Sequence, residues 1–163
     1  MIVLDTHALI WMDADDAALG PQARVHIEQA WRAGEVAVSA ISFWECAMLV
    51  DKGRIVLPLS AEGWRAGLLS AGLIEIALDG RIALAAAGFA DLHRDPADRF
   101  IAASAAVRGA TLVTADDKLL AGPNGVFCCT PATTKAGMWR FRASRLARAA
   151  AGLQNRSNFS PER

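Results

Sequence analysis

The feature that most constrains the fold is the start of the chain, MIVLDTHALIW, where a short apolar run ends at an acid. Residues 2–4 contain no polar side chain, which is typical of a strand buried on both faces of a parallel sheet. Asp5 follows at once, and the composition of residues 8–11 favours a helix. This carboxylate therefore stands where a buried strand gives way to a helix, and open α/β sheets bind ligands at that edge.

Short apolar runs and helical spacing alternate along the rest of the body. Further strands are predicted at 36–39, 73–78, 111–114 and 126–129. Helices are predicted from Pro21 to Gly34 and over 42–50, about 60–70, 81–92 and 95–108, with a helical turn at 115–120 and an acidic loop at 13–16. The alternation predicts an α/β fold, a short parallel sheet of four to five strands with helices on both faces.

Composition bounds the function without naming it. The 163 residues suit one domain, and no apolar run approaches the ~20 residues that span a bilayer. No basic region precedes the first apolar stretch, so we expect a cytoplasmic protein with no membrane contact. Cys46, Cys128 and Cys129 have neither metal-ligand nor disulfide spacing.

Charge divides the chain into two parts. Residues 1–130 carry 10 Lys and Arg against 16 Asp and Glu, a net charge of −6. Residues 131–163 carry 7 against 1, a net charge of +6. We predict a domain at 1–130 and a basic extension at 131–163, either disordered or a helix that binds RNA or the acidic body. Because phosphate binding relies on cations, the acidic body needs a metal, local Arg and Lys, or this tail to hold a polyanion.

Four acids occupy equivalent places, each just past a predicted strand or in the first turn of a following helix. They are Asp5, Glu45, Asp98 and Asp116. Helix capping is an alternative for most of them. Ser42 and Glu45 have the spacing of a capping box, Asp98 lies at a good helix start, and Asp116 could cap a turn. Capping explains Asp5 least well, because an unpaired charge after a buried strand is costly.

Electrostatics favours a cation among these acids. Strand ends of a parallel sheet share one edge, so the four should be neighbours. Two carboxylates about 4 Å apart repel by roughly 4 kcal/mol at an effective dielectric near 20. No Lys or Arg accompanies all four, so protons or a cation must relieve the repulsion. Oxygen ligands select a hard ion, Mg²⁺ or Mn²⁺.

The stretches LDTHALIW, VSAISFWE, HRDPADRFIAASA and LVTADDKL resemble the four motif blocks of PIN-domain ribonucleases, most of all VapC-type toxins of toxin–antitoxin pairs. The resemblance implies a three-layer PIN-like sandwich and an endoribonuclease that cuts RNA such as tRNA or ribosomal RNA. It implies Asp5 and Asp98 as main metal ligands. Asp116 would hold the metal directly or through water, and Glu45 would orient a second ion or the attacking water. A small antitoxin, a homodimer and a larger toxin–antitoxin assembly are implied partners.

Other side chains are predicted to support this site. Thr6 is expected to cap the first helix, a role that Thr favours. Ser42 and Thr114 are expected to hydrogen-bond neighbouring acids. Arg99 could meet the RNA backbone or pair with Asp95, and Asp117 competes with Asp116 for its role.

Competing functions fit less well. A phosphatase of the haloacid-dehalogenase type begins with a similar strand and Asp but needs a second Asp two residues on, where His7 stands. A receiver domain would place its acceptor Asp after the third strand and a Lys after the last. Dinucleotide binding lacks GxGxxG after the first strand. A catalytically silent binding module remains open, although an intact acidic quartet argues against it.

Overall fold

The computed structural model describes residues 1–89, 95–116 and 119, together with the backbone of 125–128 and 139–140. The strands are β1 (Ile2–Leu4), β2 (Val36–Ser39), β3 (Ile55–Val56), β4 (Ile74–Ile76), β5 (Thr111–Thr114), β6 (Gly125–Cys128) and β7 (Trp139–Arg140). The helices are α1 (Thr6–Asp13), α2 (Pro21–Arg32), α3 (Ala40–Asp51), α4 (Ala61–Ser70), α5 (Gly80–Ala87) and α6 (Pro96–Val107), with a 3₁₀ turn at Ala17–Leu19.

The main sheet has the strand order β4-β2-β1-β5-β6, and every pair in it is parallel. The first strand of the chain is therefore the central one, flanked by β2 and β5. Leu4, the last residue of β1, pairs with Val38 on one side and Val113 on the other. The predicted parallel sheet is confirmed, and the carboxyl ends of its three middle strands meet at one edge.

Alternate side chains of the strands enter two separate cores. Leu4, Val36, Val38 and Val113 face a core built with α1, α2, α3 and α4. Their neighbours on the opposite face, including Val3, pack against α5 and α6. Since side chains alternate along a strand, a sheet with helices on both faces needs apolar residues at every position. The predicted sandwich is confirmed, and it explains why the short strands are uninterrupted apolar runs.

Several helix boundaries follow their sequence signals. Asp79, Asp95 and Ser60 cap α5, α6 and α4 by accepting from backbone N–H groups in the first turn. Pro21 opens α2 as predicted, where its missing N–H costs nothing. Gly34 follows the end of α2 with φ of +68°, a left-handed conformation that glycine adopts without strain.

Two boundaries differ from the prediction. Asp13 is the last residue of α1 and 1% exposed, rather than part of a loop. Helix α3 begins at Ala40, so Ser42 lies inside the helix and not at its start. The two-residue strand β3 was not predicted, because so short a segment has no periodicity to detect. The predictions for 90–94, 117–118 and 120–124 lie outside the described residues.

Part of the predicted basic extension meets the body. Strand β7 pairs in parallel with β3, with Trp139 opposite Ile55 and Arg140 opposite Val56. The other residues of the predicted extension are outside the described part of the chain. Within that described part, no helix has the length and hydropathy needed to cross a membrane.

Candidate active site

Asp5 lies at the carboxyl end of the central strand and is 5% exposed. Its carboxylate accepts from the backbone N–H of Ala8 at 2.6 Å and so caps α1. The side chain of Thr114 and the backbone of Ala115 also hydrogen-bond to it. Burial raises the pKa of Asp5 above its usual 3.8, while these hydrogen bonds and the nearby His7 lower it. Burial is the largest of these effects, so an ionised Asp5 is costly in the absence of a cation.

Glu45 approaches the same edge from α3 and is half-buried. Thr6 Oγ1 donates to Glu45 Oε2 at 2.5 Å, joining α1 to α3. Burial raises the pKa of Glu45 above its usual 4.5, and the charges of Asp95 and Asp5 raise it further, against the Thr6 hydrogen bond. Asp5 and Glu45 thus lie close enough to repel one another, as expected of acids at one sheet edge.

Thr114 connects Asp5 to Asp116. Its hydroxyl oxygen accepts from the backbone N–H of Asp116 at 3.0 Å, and its side chain also hydrogen-bonds to Asp5. A hydroxyl carries one donor and can accept at the same time, so Thr114 donates to Asp5 and accepts from Asp116. Thr114 is fully buried, whereas Asp116, two residues past β5, is half-buried. The predicted hydrogen bonds of Thr114 to its acidic neighbours are present.

Asp98 lies in the first turn of α6, whose cap is Asp95. Asp95 accepts from the backbone N–H of Ala97 at 3.0 Å, so capping of this helix is assigned to Asp95. Helix α6 packs against α3, and the charge of Asp95 raises the pKa of Glu45. Asp98 is half-buried one turn further along, and Arg99 next to it is also half-buried. Asp117 lies outside the described residues.

Two predicted supporting roles are wrong. Thr6 does not cap α1, because Asp5 does, and its hydroxyl goes to Glu45 instead. Ser42 and Glu45 do not form a capping box, because the helix starts two residues earlier at Ala40. Ser42 is fully buried inside α3, and its hydroxyl has no hydrogen-bond partner among the described residues. The expected hydrogen bond from Ser42 to an acid is therefore not made.

The Thr6–Glu45 bond is the part of the site that sequence reasoning missed. The two residues are 39 positions apart, and no local pattern connects them. The available signal was indirect: Asp5 and Thr6 both suit a helix cap, and only one of them can occupy it. Assigning the cap to Asp5 would have released the Thr6 hydroxyl for another partner.

The donor chemistry of these residues fits a hard cation. Their side chains offer carboxylate oxygens. Burial disfavours the ionised forms of Asp5 and Glu45, and the charges of Asp95 and Asp5 further disfavour that of Glu45. A cation would relieve both costs. As the side chains stand, no three His, Cys, Asp or Glu residues in the described part of the chain are grouped closely enough to hold one ion.

Comparison with known proteins identifies the family. The PIN domain family model matches residues 2–122, and the chain belongs to this family. It is 34% identical over 119 residues to "Ribonuclease VapC22" of Mycobacterium tuberculosis, an alignment that covers 72% of this chain and 88% of that protein.

Two solved structures share the fold at low sequence identity. A toxin–antitoxin complex from Klebsiella pneumoniae has a TM-score of 0.56 at 22% identity, covering 78% of this chain and 97% of that one. VapBC2 from Rickettsia felis, bound to a promoter DNA fragment, has a TM-score of 0.57 at 20% identity, with 77% and 96% covered. At these identities the likeness establishes the sandwich fold alone.

Proposed function

We propose that this protein is a VapC-type toxin, a metal-dependent endoribonuclease that hydrolyses phosphodiester bonds of a structured RNA such as tRNA or ribosomal RNA. The observation that carries the proposal is the convergence of Asp5 and Glu45 at the carboxyl edge of the sheet, where burial disfavours both charges and the charge of Asp5 further disfavours that of Glu45. Membership of the PIN family and the 34% identity to a ribonuclease support it.

The proposed ion is Mg²⁺ or Mn²⁺. We assign Asp5 and Asp98 as its main ligands, Asp116 as a ligand directly or through water, and Glu45 as the group that orients a second ion or the attacking water. When bound, such an ion lowers the pKa of water and neutralises charge on the phosphate in the transition state.

The protein's own contribution is to fix the acids. The Ala8 N–H and the Thr114 hydroxyl hold the carboxylate of Asp5, while Thr6 holds that of Glu45. Thr114 also anchors the backbone of Asp116. Arg99, half-buried beside Asp98, is a proposed contact for the RNA backbone.

The proposed partners follow the same assignment. We propose that a small antitoxin silences the protein, within a homodimer and a larger toxin–antitoxin assembly, and that it acts in the cytoplasm. The fold neighbours support the first point, since one is a toxin–antitoxin complex and the other is VapBC2 with promoter DNA. We assign the nuclease domain to residues 1–130 and a basic extension to 131–163, consistent with a family match that ends at residue 122.

The test is cleavage by the purified protein of labelled total RNA and of p-nitrophenyl phosphate, with EDTA and then with Mn²⁺ or Mg²⁺ restored. We expect metal-dependent RNA cleavage and no release of p-nitrophenol. Hydrolysis of p-nitrophenyl phosphate would indicate a phosphatase, and activity in EDTA would indicate a metal-free nuclease.

A matched pair of variants locates the site. Asp98→Asn should abolish cleavage with the fold intact. Asp79→Asn is the control, because Asp79 also begins a helix, is exposed, and caps α5 in a way that Asn reproduces. If neither protein nor variant cleaves RNA under any metal condition, the silent binding module becomes the better assignment.

A further inference from the structure

Thr6 is a buried polar residue whose hydroxyl bonds to a distant segment of the chain and does not cap its own helix. It is 3% exposed and lies at the first position of α1, a helix that Asp5 caps by accepting from the N–H of Ala8. Its Oγ1 instead spans to another helix and donates to Glu45 Oε2 at 2.5 Å. The side chain thus contacts the acid of the proposed quartet that lies furthest inside a helix, at the sixth residue of α3.

Several properties of Glu45 favour movement of its carboxylate out of the site. Its side chain is long, it is half-buried and so can reach solvent, and the charges of both Asp95 and Asp5 repel it. Repulsion and side-chain entropy both favour rotation of the carboxylate outward. The Thr6 hydroxyl is the hydrogen-bond donor that the structure places against this tendency, within the described residues.

The other half of the site has a parallel arrangement. Thr114 donates to Asp5 while accepting from the backbone of Asp116. A buried threonine thus lies at the carboxyl end of each of two neighbouring strands: Thr6 just past β1, and Thr114 as the last residue of β5. Each threonine holds an acid that belongs to a different segment of the chain. The two hydroxyls therefore set the relative positions of acids that the backbone alone does not fix.

We propose that Thr6 is a positioning residue for the nuclease reaction: its hydrogen bond to Glu45 keeps that carboxylate at the carboxyl edge of the sheet, ready for an ion or an ion-bound water. This role rests on the proposed function. It assigns Thr6 no contact with RNA and no proton transfer. Its effect passes through Glu45.

Three substitutions test the proposal. Thr6→Val keeps the branched shape and removes the hydroxyl, whereas Thr6→Ser keeps the hydroxyl. Thr111→Val is the control, because it makes the same exchange at the amino end of β5, at the edge of the sheet away from the acids. Partners of metal ligands cost about 10- to 100-fold in affinity or activity when removed. We therefore expect Thr6→Val to lower kcat for RNA by about 10- to 100-fold with KM for RNA little changed. Thr6→Ser should recover most of the loss, and Thr111→Val should match the wild type.

Binding of Mn²⁺ alone, titrated by electron paramagnetic resonance without RNA, gives a readout independent of turnover. Thr6→Val should weaken Mn²⁺ binding and Thr6→Ser should restore it. Wild-type kcat and Mn²⁺ affinity in Thr6→Val would overturn the proposal, as would a Thr6→Ser protein as impaired as Thr6→Val. If the wild type cleaves no RNA, the proposed function fails, yet the Mn²⁺ titration still decides whether Thr6 shapes the ion site.

A double variant tests the route of the effect. If Thr6 acts through Glu45, then Thr6→Val added to Glu45→Gln should cost no further activity beyond Glu45→Gln alone. Multiplied losses in the double variant would mean that Thr6 acts by another path, and the proposal would be wrong.

Discussion

The two ends of α1 carry the same buried group in opposite surroundings. Asp5 caps the amino end and is 5% exposed, and Asp13 is the last residue and 1% exposed. The amino end of a helix favours an anion and the carboxyl end disfavours one. Even at the unfavourable end the buried carboxylate has a donor, because Trp64 Nε1 donates to Asp13 Oδ2 at 2.7 Å from α4. Burial alone therefore does not mark a functional acid, since both carboxylates are buried and both accept a hydrogen bond.

Helix α3 lies beside α1, and the pKa of its Cys46 is affected by acids near both ends of α1. Burial raises the pKa of the Cys46 thiol, and the charges of Glu45 and then Asp13 raise it further. The thiol between the two carboxylates is accordingly kept in its neutral form, which makes it a poor metal ligand and nucleophile. At the Asp5 end backbone and hydroxyl donors bind the acid and its charge acts on Glu45, while at the Asp13 end an indole N–H donates to the acid.

The largest expected difference between the two ends is in catalysis. Asp5→Asn should lower RNA cleavage by roughly 10³-fold or more, since a metal supplies several kcal/mol of transition-state stabilisation. Asn retains the cap of α1, so the fold should persist. Asp13→Ala should cleave at the wild-type rate. Cleavage rates at equal Mg²⁺ check both, and equal losses in the two variants would erase the distinction.

Metal binding should stabilise the wild type and Asp13→Ala, but not a variant that lacks a proposed ion ligand. Mn²⁺ at about 100 times its Kd should add about 2.7 kcal/mol of stability, which raises Tm by roughly 5–10 °C for a domain of this size. Asp13→Ala should show the same rise and Asp98→Asn should not, with EDTA reversing it. Thermal unfolding followed by circular dichroism measures this. An equal rise in Asp98→Asn would place the ion elsewhere.

Loss of the hydrogen bond between Trp64 and Asp13 should destabilise the fold without affecting ion binding. Asp13→Ala leaves the buried Trp64 N–H without this acceptor, which costs about 1–3 kcal/mol. Urea unfolding measures the change. Trp64→Phe should be coupled to it, so the double variant should lose less than the two single losses together. Strict additivity would show that this hydrogen bond contributes little.

The smallest effect concerns pH. Because the folded-state pKa values of Asp5 and Glu45 lie above their usual 3.8 and 4.5, the stability they contribute is present at low pH and lost as pH rises through the raised values. Glu45→Gln should therefore raise the Tm of the metal-free protein at pH 7 and leave it nearly unchanged below pH 4. A lower Tm at pH 7 would show that the charge is stabilised by the protein itself.

Local sequence predicts what local forces decide. The strands around Val3, Ala37 and Leu112 were recognisable because a sheet buried on both faces requires continuous apolar runs. Asp79 and Asp95 cap helices where their sequences indicate. The placement of Asp5 at a strand end followed from the same reasoning.

Contacts between distant segments could not be read in this way. Ser39 and Ser42 both suit the start of α3. The helix begins after Ser39, whose hydroxyl accepts from that of Ser104 at 2.9 Å in a fully buried contact. The Trp64 bond to Asp13 spans 51 positions, which no window of sequence covers. The roles of Asp98 and Asp116 at an ion stay predictions that the proposed variants test.

The central place of β1 has a consequence for how the protein is made. Residues 2–4 are translated before either of the strands that complete their hydrogen-bonding edges, which are β2 and, at residues 111–114, β5. Pairing across so long a stretch closes late. The acids at the end of β1 therefore come together with Asp116 only after most of the domain has been translated, and a nascent chain should carry no nuclease activity before that point.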